Sequence, residues 1–185
     1  MSKVYIKCFL NLEEVNIDLS TINPIRREYL KKQKGHNKIM SYLAWTYLKE
    51  IVYKEYHLNI DELNLTYNQY NKPLFKEFCF NISHSENVVA VAISNENIGV
   101  DIQLIKNQTN KSLAHKMKLE NDPIIVIEKF SKIEAHYKKV GIGINISTLD
   151  KNVDISLQKR LILQNNPYVL SVDSDDDNID VFLDE

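Results

Sequence analysis

Apolar residues along this 185-residue chain change period several times, and each change predicts an element. The sequence FNISHSENVVAVAISNENIGVDIQ, residues 80–103, holds two short β-branched runs, 88–93 and 98–102, around the turn-forming Ser94-Asn95-Glu96-Asn97. Runs of that length and composition predict strands. Nearer the start, Val4, Ile6 and Cys8 alternate with Tyr5, Lys7 and Phe9, predicting a strand over 4–10. Residues 26–33 predict a short helix that Gly35 ends at a C-cap. Met40, Leu43, Ala44, Tyr47, Leu48, Ile51 and Val52 recur three and four apart, predicting an amphipathic helix over 38–56 with that stripe as core. A short strand follows at 63–67, a turn at Tyr70-Asn71-Lys72-Pro73, a polar connection at 106–110 and a short helix at 111–118. Asp122 fits an N-cap and Pro123 a first helical position, so a further helix runs to about Lys139 and stops at Gly141. Residues 153–183 read as β segments VDISL, RLILQ, YVLSV and IDVFL, divided by Asn165-Asn166-Pro167 and by 174–178, with Asp175 to Asp177 a solvated turn. The pattern is α+β, and each half offers β elements around one or two helices.

Polar residues inside these apolar patterns carry the candidate chemistry. Asp101 and Gln103 are two apart in a strand and share a face, where a carboxylate and an amide oxygen can hold a hard cation such as Mg2+. The same Asp-Ile-Gln also reads as a solvated strand end, and Ser83-His84-Ser85 as a hydrogen-bonded turn. Phe130, Ile133, Glu134 and Tyr137 lie on one side of their helix, and a Glu among apolar neighbours asks for a metal or a base as partner. Lys138, four residues on, equally permits an ordinary surface ion pair. Arg26, Arg27, Lys31, Lys32, Lys34, His36 and Lys38 form a cationic segment, either a solvated helix face or a phosphate cradle. Lys38 falls in the first turn of the long helix, beside free backbone amides.

Composition narrows the class. A chain 44% hydrophobic and 26% charged can pack a core, and two cysteines, Cys8 and Cys79, suit a reduced cytosolic protein. No zinc-type Cys/His spacing, signal peptide or membrane span is legible. Residues 173–185 hold seven acidic groups and no basic one, leaving 18 acidic against 23 basic residues elsewhere, a net of +5. A mildly basic body suits an anionic ligand or an acidic protein partner, without the dense stripe of a nucleic-acid binder.

Asn71-Lys72-Pro73, Phe80-Asn81-Ile82-Ser83-His84-Ser85, Gly99-Val100-Asp101-Ile102-Gln103, Phe130-Ser131-Lys132-Ile133-Glu134-Ala135-His136-Tyr137-Lys138 and Gly141-Ile142-Gly143 together, in this order, resemble the motifs of 4′-phosphopantetheinyl transferases, the longer monomeric type acting on carrier proteins. The resemblance covers about residues 70–143. It implies two similar α+β halves, 1–98 with the coenzyme A contacts and 99–185 with the metal ligands and catalytic helix, and an active site in the cleft between them. It implies Mg2+-dependent transfer of the phosphopantetheine arm of coenzyme A to a serine of an acidic acyl or peptidyl carrier protein in the cytoplasm, releasing adenosine 3′,5′-bisphosphate. Asp101, Gln103 and Glu134 stand at the family's metal positions. Lys138 stands at a lysine contacting the phosphates and leaving group. Lys38, Lys72, Ser83 and His84 stand at coenzyme A contacts, with His84 near the 3′-phosphate. Gln103 replaces the carboxylate of many relatives, which lowers the expected metal affinity. Ile133 replaces their usual lysine, and Phe130 a common tryptophan. The alternatives are a degenerate coenzyme A binder and a protein-interaction module without transferase activity.

Overall fold

The computed structural model describes residues 1–108, 110–143, 150 and 152–184. The chain runs β1 (Ser2–Cys8), α1 (Pro24–Lys32), α2 (Gly35–Tyr56), β2 (Thr66–Tyr67), β3 (Pro73–Leu74), β4 (Cys79–Ser85), β5 (Val88–Ser94), β6 (Ile98–Leu104), α3 (Lys111–Met117), α4 (Pro123–Val140), β7 (Leu157–Leu163), β8 (Asn166–Ser174) and β9 (Ile179–Asp184). This is a mixed α+β architecture. Its first sheet has the order β4-β5-β1-β9, its second β6-β8-β7, and β2 pairs with β3 alone. In the first sheet β1 is antiparallel to β5, with Tyr5 opposite Val91, and parallel to β9, with Tyr5 opposite Phe182. The second sheet is antiparallel, with Asp101 opposite Ser171.

Strand alternation sorts the core into layers. Tyr5, Phe80, Val89, Val91 and Ile93 turn toward the apolar stripe of α2. Val4, Ile6, Val88, Ala90 and Ala92 turn the other way, onto Ile98, Val100, Ile102, Leu170 and Val172 of the second sheet. The far side of that sheet carries α4. A central strand covered on both faces needs an unbroken apolar run, and all seven residues of β5 are buried.

Several boundaries differ from the sequence reading, each for a local reason. Gly35 does not cap α1; the α1 helix ends at Lys32, where Gln33 N–H donates to the Leu30 carbonyl, and Gly35, at φ +52°, opens α2. The strand expected over 63–67 is only β2, because Leu65 turns into the first core. VDISL forms no strand before Leu157: Val153 packs among α3 and α4, and the Ser156 hydroxyl bonds the backbone of Ser174. The turn before β8 is made by Gln164 and Asn165, at φ 49° and 61°, so Asn166 and Pro167 already belong to the strand. The acidic bend is not simply solvated: Asp175 pairs with Lys139, and Asp176 with the terminal amine. Thr109, in the expected connection at 106–110, lies outside the described residues, as does Glu185. Among the described residues no helix is long and apolar enough to cross a membrane.

Candidate active site

In β6 the even residues Ile98, Val100 and Ile102 enter the core between the sheets, so Gly99, Asp101 and Gln103 face α4. Gly99 lets the helix come close: a Cβ there would lie 2.0 Å from the Ala135 carbonyl oxygen and 2.4 Å from Lys139 N. Asp122 fixes the start of α4, its Oδ1 accepting from the N–H groups of Ile124 and Ile125. Gly141, in the left-handed conformation, ends it. One turn of α4 apart, Glu134 and Lys138 then meet Asp101.

Asp101 is fully buried. Its Oδ1 accepts from Lys138 Nζ (2.6 Å), Ser83 Oγ (2.9 Å) and Gln103 Nε2 (3.4 Å), and the carboxyl also meets the side chains of Glu134 and Ser131. Lys138 Nζ also lies 3.2 Å from Glu134 Oε2 and donates to Ser83 Oγ at 3.1 Å. Ser131, on the same helix, is buried beside Asp101. Burial would raise the Asp101 carboxyl, but the Lys138 ammonium outweighs it and holds Asp101 below the usual carboxylate range. Burial, reinforced by the negative charge of Asp101, pushes Glu134 up to about 7 against the pull of Lys138. Lys138 is raised, because two carboxylates outweigh its own loss of water.

Three local readings left open by the sequence are decided by geometry. Ser83-His84-Ser85 lies within β4 and is no turn. Asp101 is no solvated strand end. Glu134 and Lys138 do pair four residues apart, but around a third, buried charge and not as an isolated surface pair.

On the opposite face of β4, His84 lines a cavity of about 190 Å3 with Arg26, Tyr29, Ser41 and Asn71. Burial lowers His84 below the ordinary imidazole value, helped by the charges of Lys138, His36 and Arg26. Arg26 is 8% exposed, lies over the rings of Tyr29 (4.3 Å) and Trp45 (5.0 Å), and leaves Nε without a partner. Two of its neighbours in the cationic segment are otherwise engaged: Arg27 donates to the Ser20 and Ile22 carbonyls, and Lys31 pairs with Glu28.

Lys72 lines a second cavity, of about 210 Å3, together with Lys138, Asn81 and Tyr137. Its ammonium donates to the Lys139 carbonyl (2.9 Å), while Asn68 Nδ2 donates to the Gly141 carbonyl (2.7 Å), so this loop covers the end of α4. Lys38 is half-buried in the first turn of α2. A third cavity, about 570 Å3, opens beside Gln103 and is walled by Leu104, Leu113, Val126, Ile127 and Phe130 with Lys106 at its edge. The sequence reading did not single out Asn81, Ser85, Gly99 or Ser131. The polar alternation 81-83-85 was the available signal for the first two.

Among the described residues no group of three or more His, Cys, Asp or Glu gathers at one point; the set here is two carboxylates and an amide. No protein-family model matches the chain. It is 26% identical over 110 residues to the 4′-phosphopantetheinyl transferase Sfp of Bacillus subtilis (strain 168), covering 56% of this chain and 48% of that protein. It is 32% identical over 114 residues to the 4′-phosphopantetheinyl transferase gsp of Aneurinibacillus migulanus, covering 51% and 48%. The chain thus spans about half the length of the curated relatives it matches. Both similarities support the 4′-phosphopantetheinyl transferase family and do not distinguish a subtype within it.

Proposed function

We propose that this chain transfers the 4′-phosphopantetheine arm of coenzyme A to a serine of an acidic acyl or peptidyl carrier protein. The observation that carries the reading is Asp101: fully buried, tied to Lys138, and set against a second, half-buried carboxyl, Glu134. Two carboxyls crowded into one buried site repel when both are charged, and a cation between them relieves that repulsion. With Gln103 and Glu134, Asp101 forms an all-oxygen donor set that fits Mg2+. When bound, Mg2+ would neutralise diphosphate charge as a Lewis acid.

The remaining roles belong to the chain. Arg26 and His84 would hold the 3′-phosphate in their cavity, with Lys72, Ser83 and Lys38 nearer the diphosphate. The carrier serine Oγ forms a bond to the phosphorus bearing the pantetheine. The bond from that phosphorus to the bridging oxygen breaks, and adenosine 3′,5′-bisphosphate leaves with the electron pair. Lys138 offsets the charge on the leaving group, and the Glu134 carboxylate takes the serine proton. The partner brings the nucleophile, so the chain needs none. The two halves, 1–98 and 99–185, would meet at this cleft, the protein acting as a cytoplasmic monomer, with the carrier docked at the basic and apolar rim around Lys106 and Phe130.

Incubating the chain with coenzyme A, Mg2+ and apo carrier proteins, then weighing the carriers, tests the reading. Asp101→Asn and Glu134→Gln are each expected to lower loading by ~10²-fold or more, with circular dichroism unchanged. Near-normal loading by either variant overturns the assignment. Coenzyme A binding without transfer indicates a degenerate binder, and no binding an interaction module.

A further inference from the structure

One edge of β6 pairs with β8; the other faces β4 with no backbone ladder between them. Edge N–H groups buried in this way must find partners. Val100 N–H donates to Asn81 Oδ1 (3.0 Å), Ile102 N–H to Ser83 Oγ (3.3 Å) and Leu104 N–H to Ser85 Oγ (3.0 Å). Three acceptors spaced two apart on β4 thus meet three donors spaced two apart on β6, with one constant offset of 19 residues. Both series ascend together, so the strands run parallel in a single register. A slip of one residue would set Ile82 and His84 toward β6 and lose every rung.

The two strands joined this way carry different parts of the site. The even residues of β4 include Ile82 and His84, which line the Arg26 cavity. The side chains of β6 include Asp101 and Gln103. The relation between the nucleotide cavity and the carboxylate cluster is therefore set across a seam of side chains. Ser83 belongs to both, since it also donates to Asp101 and accepts from Lys138.

We propose that Asn81 and Ser85 are positioning residues, which with Ser83 set the register of β4 on β6 and so the placement of the Arg26–His84 cavity relative to Asp101, Glu134 and Lys138. The kinetic consequence rests on the transferase reading; the register itself does not. Ser85→Thr and Ser85→Val differ in one hydroxyl against one methyl at nearly equal volume. Amide hydrogen exchange on the full chain reads the rungs directly, and kcat with KM for coenzyme A reads their effect on transfer.

Ser85→Val should speed exchange at Leu104, and Asn81→Leu at Val100, by about tenfold or more, as expected for one lost hydrogen bond. Both should lower kcat by about tenfold while KM for coenzyme A stays within about twofold, the pattern of misplaced reacting groups. Ser85→Thr should match the parent in both measurements. Unchanged exchange in Ser85→Val and Asn81→Leu overturns the register. Faster exchange with unchanged kcat overturns the positioning role. Should Asn81→Leu fail to fold, the Ser85 pair decides alone. Should the parent load no carrier, the transferase reading falls, and coenzyme A protection of the amides of residues 100, 102 and 104 decides instead. Protection in the parent that is lost in Ser85→Val upholds the coupling; equal protection in both ends it.

Discussion

At His84 burial works against charge more strongly than any neighbour works for it. Loss of water lowers its pKa first; the positive charges of Lys138, His36 and Arg26 add to the effect, and Asp101 alone opposes them. The folded value lies below the ordinary 6.5, so in the window beneath 6.5 the unfolded chain binds more protons than the folded one. His84 therefore contributes stability that is present above about pH 6.5 and is lost as pH falls through the folded value. A phosphate monoester bound beside Arg26 would supply negative charge and raise the ring again. Binding should then take up a proton, and coenzyme A affinity should rise as pH is lowered from about 8 toward 6. Calorimetry in buffers of different ionisation heat counts that proton. His84→Gln should abolish both the uptake and the acid-side loss of stability. Proton-neutral binding by the parent would remove His84 from the anion site.

The α4 helix meets the second sheet where no side chain intervenes. Gly99→Ala would drive a methyl group into the Ala135 carbonyl and the Lys139 amide, which are backbone and cannot rotate aside. The helix must move, at a cost of ~1–3 kcal/mol or more, and Glu134 and Lys138 move with it. A displacement near 1 Å is enough to lower transfer by ~10²-fold. Gly143→Ala, with no atom of the described residues within 4 Å of the added carbon, should change neither melting temperature nor loading. Much of this element was legible: Asp122, Pro123 and Gly141 bound α4 in the sequence, and the odd positions of β6 put Asp101 and Gln103 on one face. What alternation does not state is the partner. Ser83 and Ser85 read as parts of a hydrogen-bonded turn and Asn81 only as part of a motif, and only the fold supplies the β6 amides they bond. Gly99 read as part of a motif, with no sign that a helix backbone rests on it. Gly35 obeyed its preference for positive φ, but did so at the start of a helix, a role that composition cannot tell from a C-cap. Lys72 read as presented on a turn, and only the fold shows its ammonium on the Lys139 carbonyl at the end of α4.

The chain closes on itself through β9, which follows the second sheet in sequence but completes the first beside β1. Phe182 stacks on Tyr5 at 4.9 Å, and Tyr47 of α2 donates its hydroxyl to Asp184 Oδ2 at 2.7 Å, across 137 residues. A strand shared in this way links both cores, since Ile179 and Val181 pack between the sheets while Phe182 lies on the α2 side. Neither core can be lost without unpairing β1 from β9, so unfolding should be a single cooperative transition. Trp45 is fully buried in the α2 core and reports that layer by fluorescence, while far-ultraviolet circular dichroism reports all sheets and helices. The two urea curves should coincide. Tyr47→Phe removes one donor and leaves Asp184 short of a partner, at a cost of ~1–3 kcal/mol. It should shift both curves to the same lower midpoint with an unchanged slope, and leave the kcat of the native protein as it was. A fluorescence transition that moves while the dichroism transition stays would mean that the α2 layer unfolds apart from the second sheet, and that β9 does not couple them.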